Sequence, residues 1–326
     1  MPKCNLFPLR VLALLALLGL SLVGIAQTTD DVHLSPGPAL QGPLTMAGKL
    51  RAGVEMVLVP VTVTDSMNRP VMGLEKQDFT LLEDDEPQEI RYLWTEDAPI
   101  SIGILLDLSA SMANKIDDAR EAVGEFFKNA HPEDDYFVIT FANRPEVLSD
   151  TGESTETIQA KLATVEPSGH TALLDAIYLG VSKMRSARYS RRALLVISDG
   201  GDNHSRYSKS DIRRLVQEAD VQIYAIGIFD SIFKSPEEWG GKRLLTEITE
   251  ATGGRTLALD KSRRLPDLAA RVSLELRNQY VLGFHPSRAA RDRKWRRLKV
   301  KTTASRGEES LQVHSKKGYL GPEIGE

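Results

Sequence analysis

Ile102-Gly103-Ile104-Leu105-Leu106-Asp107-Leu108-Ser109-Ala110-Ser111 is the stretch on which the fold turns. Its first five residues form an unbroken apolar run. That is the pattern of a strand buried on both faces of a parallel sheet, not of one wetted at every second residue. Ile116, Ala119, Val123, Phe126 and Phe127 then recur at helical spacing, with charged residues between them to make the wet face. The alternation continues along the chain. Tyr136 to Phe141 reads as a strand; Leu174, Ile177, Val181 and Met184 mark a helix; Ala193 to Ser198 reads as another buried strand. Ile212 to Ala219 is helical, Val221 to Gly227 a strand, Leu244 to Ala251 a helix closed by Gly253-Gly254, and Leu265 to Leu276 the last helix. Strands alternating with helices predict an α/β, doubly wound, mostly parallel sheet of Rossmann-like type over residues 98–278. Ligands are then expected beyond the carboxyl ends of the strands.

Outward from this unit the period changes. Val57, Val59, Val61 and Val63 alternate with other residues, as in a strand with one buried face, and Asp65 to Pro70 supplies turn chemistry. Phe79 to Leu82, Gln88 to Trp94, Gln279 to Phe284, Trp295 to Thr302 and Leu311 to Ser315 are also β-like. Residues 54–97 and 279–320 are therefore expected to form one small β module into which the α/β domain is inserted, leaving 321–326 as a tail. Residues 27–53, rich in Pro, Gly, Ser and Thr, read as a linker.

Residues 1–26 have the order of a signal peptide: Lys3 and Arg10, then Val11 to Leu20 apolar, then Gly24-Ile25-Ala26 with Gln27 as the first mature residue. An uncleaved anchor is the alternative, and membrane contact is expected only in that case. The 16 apolar residues fall short of the roughly 20 that a spanning helix needs. Export to the periplasm, the cell envelope or the medium is expected. Cys4, the single cysteine, lies in this segment, so the mature chain has no disulfide. Cleavage leaves 39 basic against 45 acidic groups, a net charge of −6, which does not favour nucleic acid. The 41% apolar and 26% charged fractions are those of a folded globular protein.

Three segments fall at ends of elements on one predicted rim: Asp107 to Ser111, Gly169-His170-Thr171-Ala172, and Ser198-Asp199-Gly200-Gly201-Asp202. They would bring two carboxylates and three hydroxyls together with oxygen as the only donor atom. That selects a hard cation, Mg²⁺ by preference, with Mn²⁺ or Ca²⁺ as substitutes. A plainer reading is that Ser109 or Ser111 caps the helix that follows.

These segments resemble the metal-ion-dependent adhesion site of the von Willebrand factor A domain family, over about 98–278. Carried over position by position, the resemblance implies Asp107, Ser109, Ser111, Thr171 and Asp199 as metal ligands, with Ser109 and Ser111 direct. It also implies a protein partner whose Asp or Glu carboxylate completes the shell, and no catalytic residues. Gly73-Leu74, Asp78-Phe79, Glu83-Asp84, Tyr280 to Phe284 and Lys317-Gly318-Tyr319 are similar to the flanks of exported bacterial members of that group. A metal-dependent hydrolase or phosphatase is the competing reading, with Asp175, Asp202 and His170 as the nearest bases. A purely structural envelope protein is another. The histidines lack zinc-protease spacing, and neither a nucleophile elbow nor a glycine-rich phosphate loop occurs. The basic run from Arg288 to Lys299 reads as a solvated loop, with anionic lipid or polysaccharide as the alternative contact.

Overall fold

The computed structural model describes residues 56–95, 98–229, 236–259, 264–287, 293–303, 305–306 and 309–321. The expected signal segment, the linker, Cys4, and Arg288 and Arg291 of the basic run lie outside the described residues.

In chain order the amino-terminal strands are β1 (Val57–Thr64), β2 (Phe79–Glu83), β3 (Glu86–Gln88) and β4 (Ile90–Thr95). The α/β part follows as β5 (Ser101–Asp107), α1 (Ile116–Lys128), β6 (Asp135–Phe141), β7 (Pro145–Ser149), α2 (Thr155–Leu162), α3 (Leu173–Met184) and β8 (Arg192–Ser198). It continues with α4 (Lys209–Glu218), β9 (Gln222–Gly227), α5 (Pro236–Thr252), β10 (Thr256–Ala258) and α6 (Leu265–Arg277). The chain closes with β11 (Tyr280–Phe284), β12 (Trp295–Thr302), β13 (Ser305–Arg306), β14 (Glu309–Ser310), β15 (Gln312–Ser315) and β16 (Gly318–Leu320).

The central sheet has the order β10-β9-β8-β5-β6-β7, parallel except for β7. All seven residues of β5 are buried, and it lies between β6 and β8. Its alternate side chains enter two cores: Ile102, Ile104 and Leu106 pack with α1, α2 and α6, whereas Leu105 packs with α3, α4 and α5. The unbroken apolar run is thus explained by helices on both faces. The helix expected over Leu244 to Ala251 is longer, starting at Pro236.

The flanking segments build two antiparallel four-stranded sheets, β15-β1-β11-β4 and β16-β12-β2-β3. Each mixes strands from before and after the α/β part: β1 pairs β11 with Val59 opposite Leu282, and β2 pairs β12 with Leu81 opposite Val300. Val59, Val61, Leu81, Leu282, Phe284 and Val300 share one core between the sheets. The segment read as one strand, Gln88 to Trp94, is divided: β3 belongs to one sheet and β4 to the other. The switch allows a single short segment to serve both layers.

Gln279 joins the sandwich to the α/β part. Its side-chain amide donates to Thr62 Oγ1 at 3.1 Å and Gln222 Oε1 at 3.0 Å, and all three residues are buried.

Candidate functional site

Asp107 ends β5 and Ser198 ends β8, so the two strands deliver their last residues to the same edge of the sheet. Asp107 is fully buried. Its Oδ1 accepts the Ser109 amide at 2.8 Å, and its Oδ2 accepts the Ser198 hydroxyl at 2.6 Å. Burial pushes this carboxyl up to about 6; the hydrogen bonds from Ser198 and Ser109 oppose the shift, and the nearby charge of Asp199 adds to it.

Ser109 and Ser111 do not cap the helix, which corrects the plainer expectation. Ser109 opens a 3-10 turn at Ala110–Met112 without a side-chain capping bond, and α1 begins only at Ile116 with Lys115 at its cap position. The two serine hydroxyls instead hydrogen-bond each other at 3.0 Å. Ser109 is buried and Ser111 exposed, so the pair runs from the protein interior to the surface.

Backbone bonds hold the three loops together. Ala110 N–H donates to the Gly169 carbonyl at 3.1 Å, and Ser168 N–H to the Leu108 carbonyl at 2.7 Å. Thr171 N–H donates to Asn203 Oδ1 at 2.9 Å, while the Thr171 carbonyl accepts from Asn203 N–H at 3.0 Å and His204 N–H at 3.1 Å. The Ser198 hydroxyl, besides binding Asp107, accepts Gly200 N–H at 3.0 Å. Gly200 has φ +83°, and this left-handed turn lets the chain reverse directly after Asp199. Thr171 and Asp199 are both buried, and Thr171 Oγ1 and Asp199 Oδ1 both border Gly201: a side-chain carbon placed there would lie 4.0 Å and 3.6 Å from them. The five residues singled out from the sequence therefore occupy three interlocked loops.

Three contributors were not singled out in advance. Ser198 orients Asp107, Asn203 fixes Thr171, and Asn143 Oδ1 accepts His170 N–H at 2.9 Å. Ser198 stands inside a quoted segment, but nothing local indicates that its hydroxyl reaches another strand. Two of the three candidate bases are committed to loop structure. Asp202 Oδ1 accepts Leu174 N–H at 3.3 Å and bonds the Ser205 hydroxyl, and Asp175 Oδ1 accepts the amides of Arg206 and Tyr207 at 2.8 and 3.1 Å.

Residues 102–201 match the family model described as the von Willebrand factor type A domain, a span that contains all five residues. An uncharacterised protein of Borreliella burgdorferi is 25% identical over 181 residues, 48% of this chain. The match spans 53% of that protein, about half its length. Among solved structures, a von Willebrand factor type A protein from Catenulispora acidiphila is 10% identical, with 83% of this chain and 75% of that one covered at a TM-score of 0.48. An aerotolerance-related membrane protein from Bacteroides fragilis is 17% identical, with 54% and 98% covered at a TM-score of 0.44. The chain described here carries a von Willebrand factor type A domain.

Proposed function

We propose that the protein is an exported, metal-dependent binding protein in which Asp107, Ser109, Ser111, Thr171 and Asp199 hold Mg²⁺ for a partner's Asp or Glu carboxylate. The observation that carries this reading is the 3.0 Å separation of the Ser109 and Ser111 oxygens. The two hydroxyls hydrogen-bond each other at that distance, and adjacent ligands of an octahedral magnesium ion, at about 2.0–2.1 Å from the metal, stand about 2.9 Å apart, so such an ion would take the pair with little movement. The donor set supports the same choice, being all oxygen with few carboxylates. Asp107 lends further support, because a buried carboxyl pushed up to about 6 is one that a nearby cation would stabilise in its charged form.

Each residue has a role that follows from its surroundings. Ser198 and the Ser109 amide hold Asp107 in place, so this carboxylate serves as a buried anchor behind the serines. Ser111 lies at the surface, where a partner would approach. Bound there, Mg²⁺ would supply an electrophilic position for an incoming carboxylate. The amino-terminal signal pattern supports placement outside the cytoplasm; intact mass of the mature chain tests it, with cleavage after Ala26 as the expected result.

Isothermal titration of the full chain with MgCl₂ tests the site. Ser109→Ala is preferred to Asp107→Ala because it removes a proposed ligand without taking away the acceptor of the Ser198 hydroxyl. We expect Mg²⁺ affinity to fall by about tenfold or more with an unchanged circular dichroism spectrum. Equal Mg²⁺ binding by wild type and Ser109→Ala would refute the reading. Capture of a partner in Mg²⁺ but not in EDTA then tests the adhesion step.

A further inference from the structure

A cavity of about 500 Å³ lies where the α/β part meets the sandwich, at the edge of the central sheet opposite the candidate metal site. Arg192 and Gln222, which line it, begin β8 and β9, whereas Ser198 ends β8, so the two places stand roughly 20 Å apart. Three apolar walls bound the cavity. Pro60, Val281 and Trp94 form one row across β1, β11 and β4, each opposite the next. Trp295 and Leu320 form a second row across β12 and β16, and Val216 and Ala219 at the carboxyl end of α4 supply the third wall. The floor is polar but satisfied: Gln279 and Gln222 are buried and bonded to each other, and Gln222 Nε2 donates to the Gly253 carbonyl at 3.2 Å.

The mouth is charged. Lys316 Nζ lies 3.5 Å from Asp220 Oδ1. The guanidinium of half-buried Arg192 makes no ion pair among the described residues, and its one hydrogen bond runs from Nε to the Tyr189 carbonyl at 3.3 Å, so both Nη groups keep their donors. With Arg191 and Glu218 included, the lining carries three basic and two acidic side chains, an excess of one positive charge. Protein interiors rarely leave a void much larger than a water molecule, and this volume falls in the range of about 300–1,000 Å³ typical of small-molecule sites. We propose that the cavity binds a long-chain carboxylate of the fatty-acid class. The acyl chain lies between the three apolar walls, and the carboxylate accepts two parallel N–H bonds from Arg192, whose fork matches it. A floor without an unused donor offers nothing to a polar body. A single unpaired cation, with Glu218 at the same mouth, suits one negative charge rather than the two of a phosphate monoester.

The test is isothermal titration of the full chain with sodium dodecanoate below its micelle concentration, with EDTA present to remove any contribution from the metal site. One saturable site is expected, with a change in tryptophan fluorescence, because Trp94 and Trp295 are two of the three tryptophans. Octanoate should bind at least about a hundredfold more weakly, since it buries four fewer methylenes. Arg192→Gln should weaken dodecanoate by about tenfold or more and leave neutral dodecanol unaffected, and Arg192→Lys should restore most of the loss. Ser109→Ala should bind dodecanoate as the wild type does. An unchanged Tm in the Arg192 variants separates loss of the ligand contact from loss of the fold. No saturable dodecanoate binding, equal binding by Arg192→Gln, tighter binding of dodecyltrimethylammonium than of dodecanoate, or binding to phosphatidylglycerol vesicles alone would each overturn the proposal.

Discussion

Gly240 and Gly241 are consecutive residues of α5, and the structure gives substitution by alanine opposite effects at the two positions. A side-chain carbon at Gly240 meets nothing within 4 Å. At Gly241 it would lie 1.7 Å from the Gly200 carbonyl oxygen and 2.3 Å from its carbon. An ordinary carbon–oxygen contact is about 3.3 Å, so the helix and the Gly200 loop would have to part by about 1.5 Å. Both clashing atoms are backbone, and no side chain can swing aside. Overpacking of this kind costs roughly 3 kcal/mol, at the upper end of the usual range. The better helix propensity of alanine returns about 1 kcal/mol. Gly241→Ala should therefore destabilise by about 2 kcal/mol, whereas Gly240→Ala, receiving only the propensity term, should stabilise by about 1 kcal/mol. For a chain of 326 residues that is a fall of about 3 °C in Tm against a rise of about 1.5 °C.

The same contact reaches the candidate metal site, because Gly200 lies next to Asp199 and donates its amide to Ser198, which orients Asp107. Gly241→Ala should weaken Mg²⁺ binding severalfold while Gly240→Ala leaves it intact. Thermal denaturation followed by circular dichroism, with Mg²⁺ titration of each variant, provides the comparison. If both alanines shift Tm by the same amount, or if Gly241→Ala melts at or above the wild-type temperature, the close approach of α5 to the loop is not a constraint and the reasoning fails.

Two further predictions concern the join between the sandwich and the α/β part. His314, on β15, has a buried Nε2 with no hydrogen-bond partner among the described residues, and burial, then the charges of Arg255 and Lys317, lower its pKa to about 4. The folded state resists protonation that the unfolded chain accepts below about 6.5, so stability should fall by up to about 3 kcal/mol between pH 6.5 and 4; His314→Leu should flatten this slope in urea titrations at stepped pH. Arg255 donates from Nε to Glu275 Oε2 at 3.0 Å and from Nη1 to Asn68 Oδ1 at 2.6 Å, and Glu275 is fully buried. Arg255→Leu leaves that carboxylate unpaired and should cost about 3–5 kcal/mol, with most of the loss recovered in the Arg255→Leu, Glu275→Leu double variant; failure of the second change to restore Tm would show that the pair is not the cause.

What the sequence made legible follows from how each element obtains its burial. β5, β6, β8 and β9 lie inside the sheet, and apart from half-buried Asp135 and Arg192 at the starts of β6 and β8 all their residues are buried, so their apolar runs stand out. β7 is an antiparallel edge strand with two of its five residues exposed, and α2 buries only Ile158 and Leu162; neither carries a periodic signal long enough to read. β10 has three residues and takes its identity from pairing with β9. The division of Gln88 to Trp94 between two sheets was hidden for a related reason, since alternation specifies a buried face but not which sheet supplies it.

At the candidate site the same distinction separates residue type from residue role. Donor types and their positions after strands were readable because a strand's end is a local feature. Whether Ser109 and Ser111 serve a helix or face a ligand was not readable, because both uses want a hydroxyl before an apolar helical pattern. The 3-10 turn at Ala110–Met112 excludes the first use by delaying α1 to Ile116, which removes the helix amides from reach and leaves the two hydroxyls hydrogen-bonded to each other. The Ser198–Asp107 bond and the stacked His170–His204 pair join residues 91 and 34 positions apart, so neither leaves a local trace; each exists because β5 and β8 end at a common edge, where the connection between α2 and α3 is also held. Topology therefore supplies the roles on this rim, and local sequence supplies the atoms that fill them.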